Sequence, residues 1–397
     1  MEKSKRQRIV LVLCGFLLVF STGIAVALQN GWGFRPTSKS FKSQIDENSH
    51  KQPFTSHVST VNTADSLDFI QFLSGQVGWG GSHTGILYRT NDGGNKWERL
   101  ESKLEGYVGS MYFSSDLSGW VILQRYERNL DKTQDQGWVM HTDDGGRSWQ
   151  PQFTAKSLEL VRMNFTSPNE GWVIGTRFFK KRDALRSEFF LLHTIDSGKN
   201  WIDVSRELNT SMADFWGSVW EWPSDIVATK PRALTLLTES GYTITTANAG
   251  VRWQNFGRPD TQGLEAQRLV PRTQDLPRIL AGMGGNHGIA SMLSLRQNDG
   301  SWTSTVINRV FLKDALYVSD KELIACGSML SENNQPLELS GEGVVLHSRD
   351  DGMNWTIVYR SADVRSLNAL ARSDVGRIWA VGSNGTMVML EKDIISN

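Results

Sequence analysis

Cysteine is nearly absent from this chain: Cys14 and Cys326 are the only two among 397 residues. One stands in an apolar N-terminal run and the other in an expected buried strand, so no internal disulfide is expected and stability has to come from packing. Net charge is absent as well, with 42 basic side chains against 42 acidic ones, and this balance removes the electrostatic argument for a nucleic-acid partner. No spacing of Cys or His suits a metal, and no cofactor is expected.

What the chain has is tryptophan, 15 in all, and ten of them fall in a repeating pattern. Residues 142–149 read Thr-Asp-Asp-Gly-Gly-Arg-Ser-Trp, and the same eight-residue string returns at 90–97, 194–201 and 348–355. A weaker copy at 246–253 carries Asn248 in the Asp place, and a worn one ends at Trp302. Trp97, Trp149, Trp201 and Trp253 stand 52 residues apart, a fixed period that means a repeat architecture.

Each copy has the chemistry of a hairpin turn. The carboxylates of Asp92, Asp144, Asp196 and Asp350 can accept backbone N–H bonds. Gly94, Gly146, Gly198 and Gly352 can take the positive φ that other residues resist, and Trp97, Trp149, Trp201 and Trp355 can pack beneath the loop. Upstream of each turn lies a short apolar strand, often entered by Gly-Trp as at Gly78-Trp79, Gly119-Trp120 and Gly171-Trp172. Seven such strands and six turns predict seven units. Four strands per unit, read in the third at 160–165, 172–176, 189–194 and 201–204, predict an all-β fold: a seven-bladed β-propeller of four-stranded blades. The last unit has no turn of its own. Its outer strand is expected from residues 57–62, which would close the ring with an N-terminal strand.

The N-terminus reads differently. Lys3, Lys5, Arg6 and Arg8 precede an uncharged run from 9 to 28, long enough for one hydrophobic helix across a bilayer, and the positive-inside rule sends the rest of the chain out of the cytoplasm. Cleaved signal peptide and retained membrane anchor both remain open at Ala25-Val26-Ala27. Residues 29–54 are polar and read as a flexible tether, and 55–397 as one propeller domain.

Three connections between second and third strands are long: 124–137, 176–188 and 328–343. All lie on the face opposite the Asp turns, and insertions gathered on one face of a repeat fold mark a binding side. The middle one carries Arg177, Lys180, Lys181, Arg182 and Arg186, candidates for contact with a partner. Catalysis by the repeated Asp residues is not expected, because copies around a rim cannot converge on one substrate. His141, His193 and His347, each eight residues before a repeat Trp, are read as packing residues. Trp216, Trp220 and Trp222 are read as core at a blade junction.

The Gly-Trp strands and the Thr/Ser-x-Asp-x-Gly-x-x-Trp turns resemble the Asp-box, or BNR-like, propellers. More narrowly the chain resembles the photosystem II stability/assembly factor family. That resemblance implies a non-enzymatic, extracytoplasmic scaffold in the periplasm, thylakoid lumen or cell surface, with a membrane protein complex as partner and an Arg-rich patch holding it. The alternative is a sialidase-type propeller that acts on or binds glycans. That reading requires carboxylates and an Arg cluster in one axial pocket, and the sequence lacks the Arg-Ile-Pro string that sialidases carry.

Overall fold

The short apolar runs and Gly-bearing turns fold into seven antiparallel sheets in the computed structural model, which describes residues 38–47, 53–61, 63–126, 131–182, 184–212, 221–272, 277–282, 290–330 and 341–392. Blade 1 runs Phe69–Phe72, Gly78–Gly81, Leu87–Thr90 and Glu98–Leu100. Blades 2 to 6 begin at Tyr107–Phe113, Leu158–Phe165, Pro223–Lys230, Glu265–Val270 and Val310–Tyr317. Blade 7 comprises Leu367–Arg372, Ile378–Gly382 and Thr386–Lys392, with Phe54–Thr60 paired antiparallel along its outer edge. The first strands of successive blades touch one another round the axis, and the seventh touches the first. The chain is a seven-bladed propeller.

Packing follows from the strand alternation. Seven hydrophobic clusters form, each drawn from two neighbouring blades, so every sheet buries both faces against the next. The seams are also stitched by polar groups. Gln71 accepts from Phe113 N at 2.7 Å, Asn164 from Ala228 N at 3.1 Å, Asp225 from Leu269 N at 2.8 Å and Asp314 from Leu370 N at 2.9 Å. Each of these bonds satisfies a buried or half-buried strand amide with a side chain from the preceding blade.

Two features differ from expectation. Part of the segment read as a tether is ordered: Ser38–Lys42 adds parallel to Trp302–Asn308 of blade 5, and Gln44–Asp46 adds parallel to Asn354–Ser361 of blade 6. Polar composition hid this, because strands laid on an outer rim bury almost nothing; Ile45 alone packs on a core cluster. A helix, Ser205–Ser211, also follows blade 3, where Leu208 and Met212 fill the seam with blade 4. The apolar run 9–28, and with it the expected N-terminal helix, lies outside the described residues. Among the described residues no helix is long and apolar enough to cross a membrane.

Candidate binding face and axial cavity

The repeated turns are structural units. In blade 3 the Thr194 hydroxyl donates to Asp196 Oδ1 at 2.9 Å and accepts from Gly198 N at 2.9 Å, while Asn200 N donates to the same carboxylate oxygen at 2.9 Å. Blades 1, 2 and 6 repeat this cage around Asp92, Asp144 and Asp350. Gly94, Gly146, Gly198 and Gly352 all have φ between 75° and 99°. The Trp149 and Trp355 indoles donate to the Gly146 and Gly352 carbonyls, whereas Trp97 and Trp201 Nε1 have no partner among the described residues. The turns also bond neighbouring blades: Trp79 Nε1 donates to Gly145 O at 3.0 Å. In blade 5, where the second strand carries Arg278 in place of a Gly-Trp entry, that guanidinium reaches Asp351 in the turn of blade 6.

The three histidines pack as expected. His193 stacks on Trp172 at 3.7 Å and bonds Glu170 at 3.1 Å; His347 bonds Glu322 at 2.9 Å; His141 bonds Ser118 at 2.9 Å. Burial lowers the pKa of all three. No group of three or more metal-ligating side chains occurs among the described residues.

On the opposite face the basic run forms a long hairpin, Gly171–Lys181 paired with Ala184–Thr194. Its five cations divide. Arg177 is held by Glu188 at 3.0 Å and by Asp203, and lies over the Phe190 ring. Lys180 bonds Asp131 at 2.8 Å, in the neighbouring long connection. Lys181, Arg182 and Arg186 are exposed. The hairpin is therefore tied at Arg177 and again near its end at Lys180, and three exposed cations remain around its tip. Of the three long connections, residues 127–130 and 331–340 lie outside the described residues, as do Trp216 and Trp220. Trp222 is half-buried, lies 5.6 Å from the Phe178 ring and lines a cavity at the axis.

That cavity went unread in the sequence. The first strand of blades 2 to 7 carries a register shift at the same place, after Val108, Leu160, Pro223, Ala266, Leu312 and Leu367. A bulge turns two consecutive residues off the alternation, and here it sets Val161-Arg162, Ser224-Asp225, Gln267-Arg268, Lys313-Asp314 and Asn368-Ala369 around the axis. No single residue type marks the bulge in the sequence, since the extra residue is Val161, Ser224, Gln267, Lys313 or Asn368 in turn.

An upper chamber of about 400 Å³ and a lower one of about 260 Å³ share Asp68, Arg162 and Arg268. Together they are lined by six carboxylates, Asp68, Glu159, Asp225, Glu239, Glu265 and Asp314, and by three cations, Arg162, Arg268 and Lys313. Arg162 donates to Gly109 O at 3.0 Å and lies 3.9 Å from Asp225; burial and then the neighbouring Arg268 lower its pKa to about 10. Burial opposes the charge on Arg268, but Asp314 and Asp225 outweigh it and hold that pKa above its usual value. Lys313 donates to Asn368 at 2.9 Å, and burial lowers its pKa. Glu239 sits in a wall whose desolvation, joined by the Glu265, Glu221 and Glu159 carboxylates, pushes its pKa up to about 7.

The family described as "Photosynthesis system II assembly factor YCF48" matches residues 133–275, from the third strand of blade 2 into blade 5. Over that stretch the chain is similar to photosystem II assembly factors. The chloroplastic photosystem II stability/assembly factor HCF136 of Arabidopsis thaliana is 29% identical over 126 residues, covering 29% of this chain and 25% of that relative. The aligned stretch thus spans about a quarter of the curated relative's length.

Among solved structures, YCF48 bound to D1 peptide superposes with a TM-score of 0.59 at 18% identity, over 87% of this chain and 97% of that one. YCF48 from Cyanidioschyzon merolae gives 0.59 at 16% identity, over 86% and 99%. The GH74 enzyme of Niastella koreensis gives 0.54 at 12% identity, over 85% of this chain and 53% of that one. At these identities the superpositions establish the propeller fold, which glycosidases and assembly factors share.

Proposed function

We propose that this protein is a non-enzymatic, extracytoplasmic scaffold that docks a segment of a membrane protein complex during assembly, in the manner of a photosystem II stability/assembly factor. The observation that carries the reading is the inserted-loop face. There a hairpin with a cationic tip, Lys181, Arg182 and Arg186, rises beside the mouth of the axial cavity. A solved YCF48 propeller that binds D1 peptide supports the class of partner. Cross-linking pull-down from native membranes with mass spectrometry tests it. Recovery of photosystem subunits supports the full reading, an unrelated membrane complex keeps the scaffold and discards photosynthesis, and no enriched complex overturns both. Charge reversal at Lys181 and Arg182 should weaken recovery, whereas reversal at Arg177 should cost stability first, because its partners are internal.

One observation bears on the glycan reading. The axial cavity does bring carboxylates and two arginines together, as that reading requires. Yet Arg162 is committed to Gly109 O and Asp225, Arg268 faces Asp225 and Asp314, and these two carboxylates also accept strand amides. They hold the ring together instead of facing a substrate. A flat assay on a sialoside and polysaccharide panel is the expected result, and measurable turnover would reverse the preference.

A further inference from the structure

We propose that the axial cavity takes a lysine or arginine side chain from an extended segment of the protein partner, with Glu239 and Glu265 as its carboxylate wall. The proposal rests on the inserted-loop face being the docking side, and it names the chemistry read at its centre.

The argument starts from charge. Along the two chambers six carboxylates face three cations, and the surplus is localised. Asp225 and Asp314 serve the two arginines, Asp68 lies within the field of Lys313, and Glu159 accepts from Lys132 at 3.3 Å. Glu239 and Glu265 make no ion pair among the described residues. Burial and then the neighbouring Glu265 carboxylate make the charge on Glu239 unfavourable, a penalty that an incoming cation removes, and the concavity focuses the field of the wall toward the opening.

Two further observations point to a ligand. Thr176 lines the same cavity at 2% exposure, and its hydroxyl has no hydrogen-bond partner among the described residues. His83, which also lines the cavity, is stacked at 4.5 Å on Tyr107, itself 40% exposed, with Tyr126 edge-on to Tyr107 at 5.9 Å. An aromatic face beside carboxylates suits an ammonium or guanidinium. A metal ion is the poorer fit, since no metal-ligating group of three is present among the described residues.

The test uses the purified full chain and calorimetric titration of an acetylated, amidated Gly/Ser peptide bearing two adjacent lysines. Saturable binding is expected, falling at least tenfold when norleucine replaces lysine, and again with Glu239→Gln plus Glu265→Gln. The same double variant should melt at or above the wild-type temperature, because it removes like-charge repulsion. Equal binding by wild type and variant overturns the proposal. So does a lower melting temperature accompanying lost binding, which would mark the pair as structural. Spermidine binding without peptide binding would also overturn the peptide as occupant. If the double variant recovers the membrane complex as well as wild type, this inference fails while the docking reading stands; if wild type recovers none, the docking reading itself fails.

Discussion

At Asn248 the protein has already made a substitution that separates charge from geometry. Its Oδ1 accepts from Thr246 at 2.9 Å and from Arg252 N at 2.9 Å, the same cage that Asp350 builds with Ser348 and Asn354 N. The carboxylate adds one thing, a second oxygen that takes Asn354 Nδ2 at 2.6 Å. Asp350→Asn is therefore expected to cost less than about 1 kcal/mol and Asp350→Ala about 1–2 kcal/mol, the difference being an amide left without its acceptor at a half-exposed turn. Urea unfolding of the two variants measures this, and equal losses would mean that the charge does the holding. Glu239 gives the complementary case. Its pKa is raised, so the folded state carries a penalty that is full above about pH 7 and fades as pH falls from there toward 4.5. Glu239→Gln should accordingly be more stable than wild type at pH 8, with the advantage shrinking at pH 5.

Elements were legible in the sequence wherever a residue type was forced to repeat. A turn that needs a positive φ and a flat ring beneath it has few solutions, so the Asp, Gly and Trp positions returned in phase and gave the number of blades. The inner-strand bulges carried no such signal. Their register shift needs only one extra residue, and what occupies it differs from blade to blade: Val161, Ser224, Gln267, Lys313, Asn368. The axial cavity was invisible for that reason. The strap at 38–46 was missed because its pairing is almost wholly backbone.

These edge elements differ in weight. Deleting 38–47 removes two parallel rim strands, the Ile45 contact and the Glu47 pairs with Arg309 and Arg360, so a drop of a few degrees with a cooperative transition is expected. Deleting 53–61 strips the outer strand from blade 7, and loss of a folded, monomeric product is expected from size-exclusion and circular dichroism. Gly94→Ala tests the neighbouring seam: a Cβ there would lie 2.3 Å from the Trp379 ring, at φ 90°, and a loss of about 2–4 kcal/mol follows from strain and clash together.

For the whole molecule, acidity is the informative variable. Burial lowers the pKa of His83, His141, His193 and His347 below 6.5, so the folded state keeps them neutral while the unfolded chain takes up protons. Their contribution is complete above about pH 6.5 and is lost as pH falls toward their folded values. The melting temperature should decline from pH 7 to pH 5. The decline should be shallower in His347→Gln, and a curve unchanged by that substitution would remove this histidine from the account.

Pairing of Phe54 with Lys392 joins nearly the first described strand to the last. A ribosome must therefore release residues up to about 392 before the circle can lock, and any chain halted earlier is a crescent with two raw borders. Cellular surveillance then has one late event to watch, and chains truncated before residue 386 should be digested by protease at a rate the finished ring escapes.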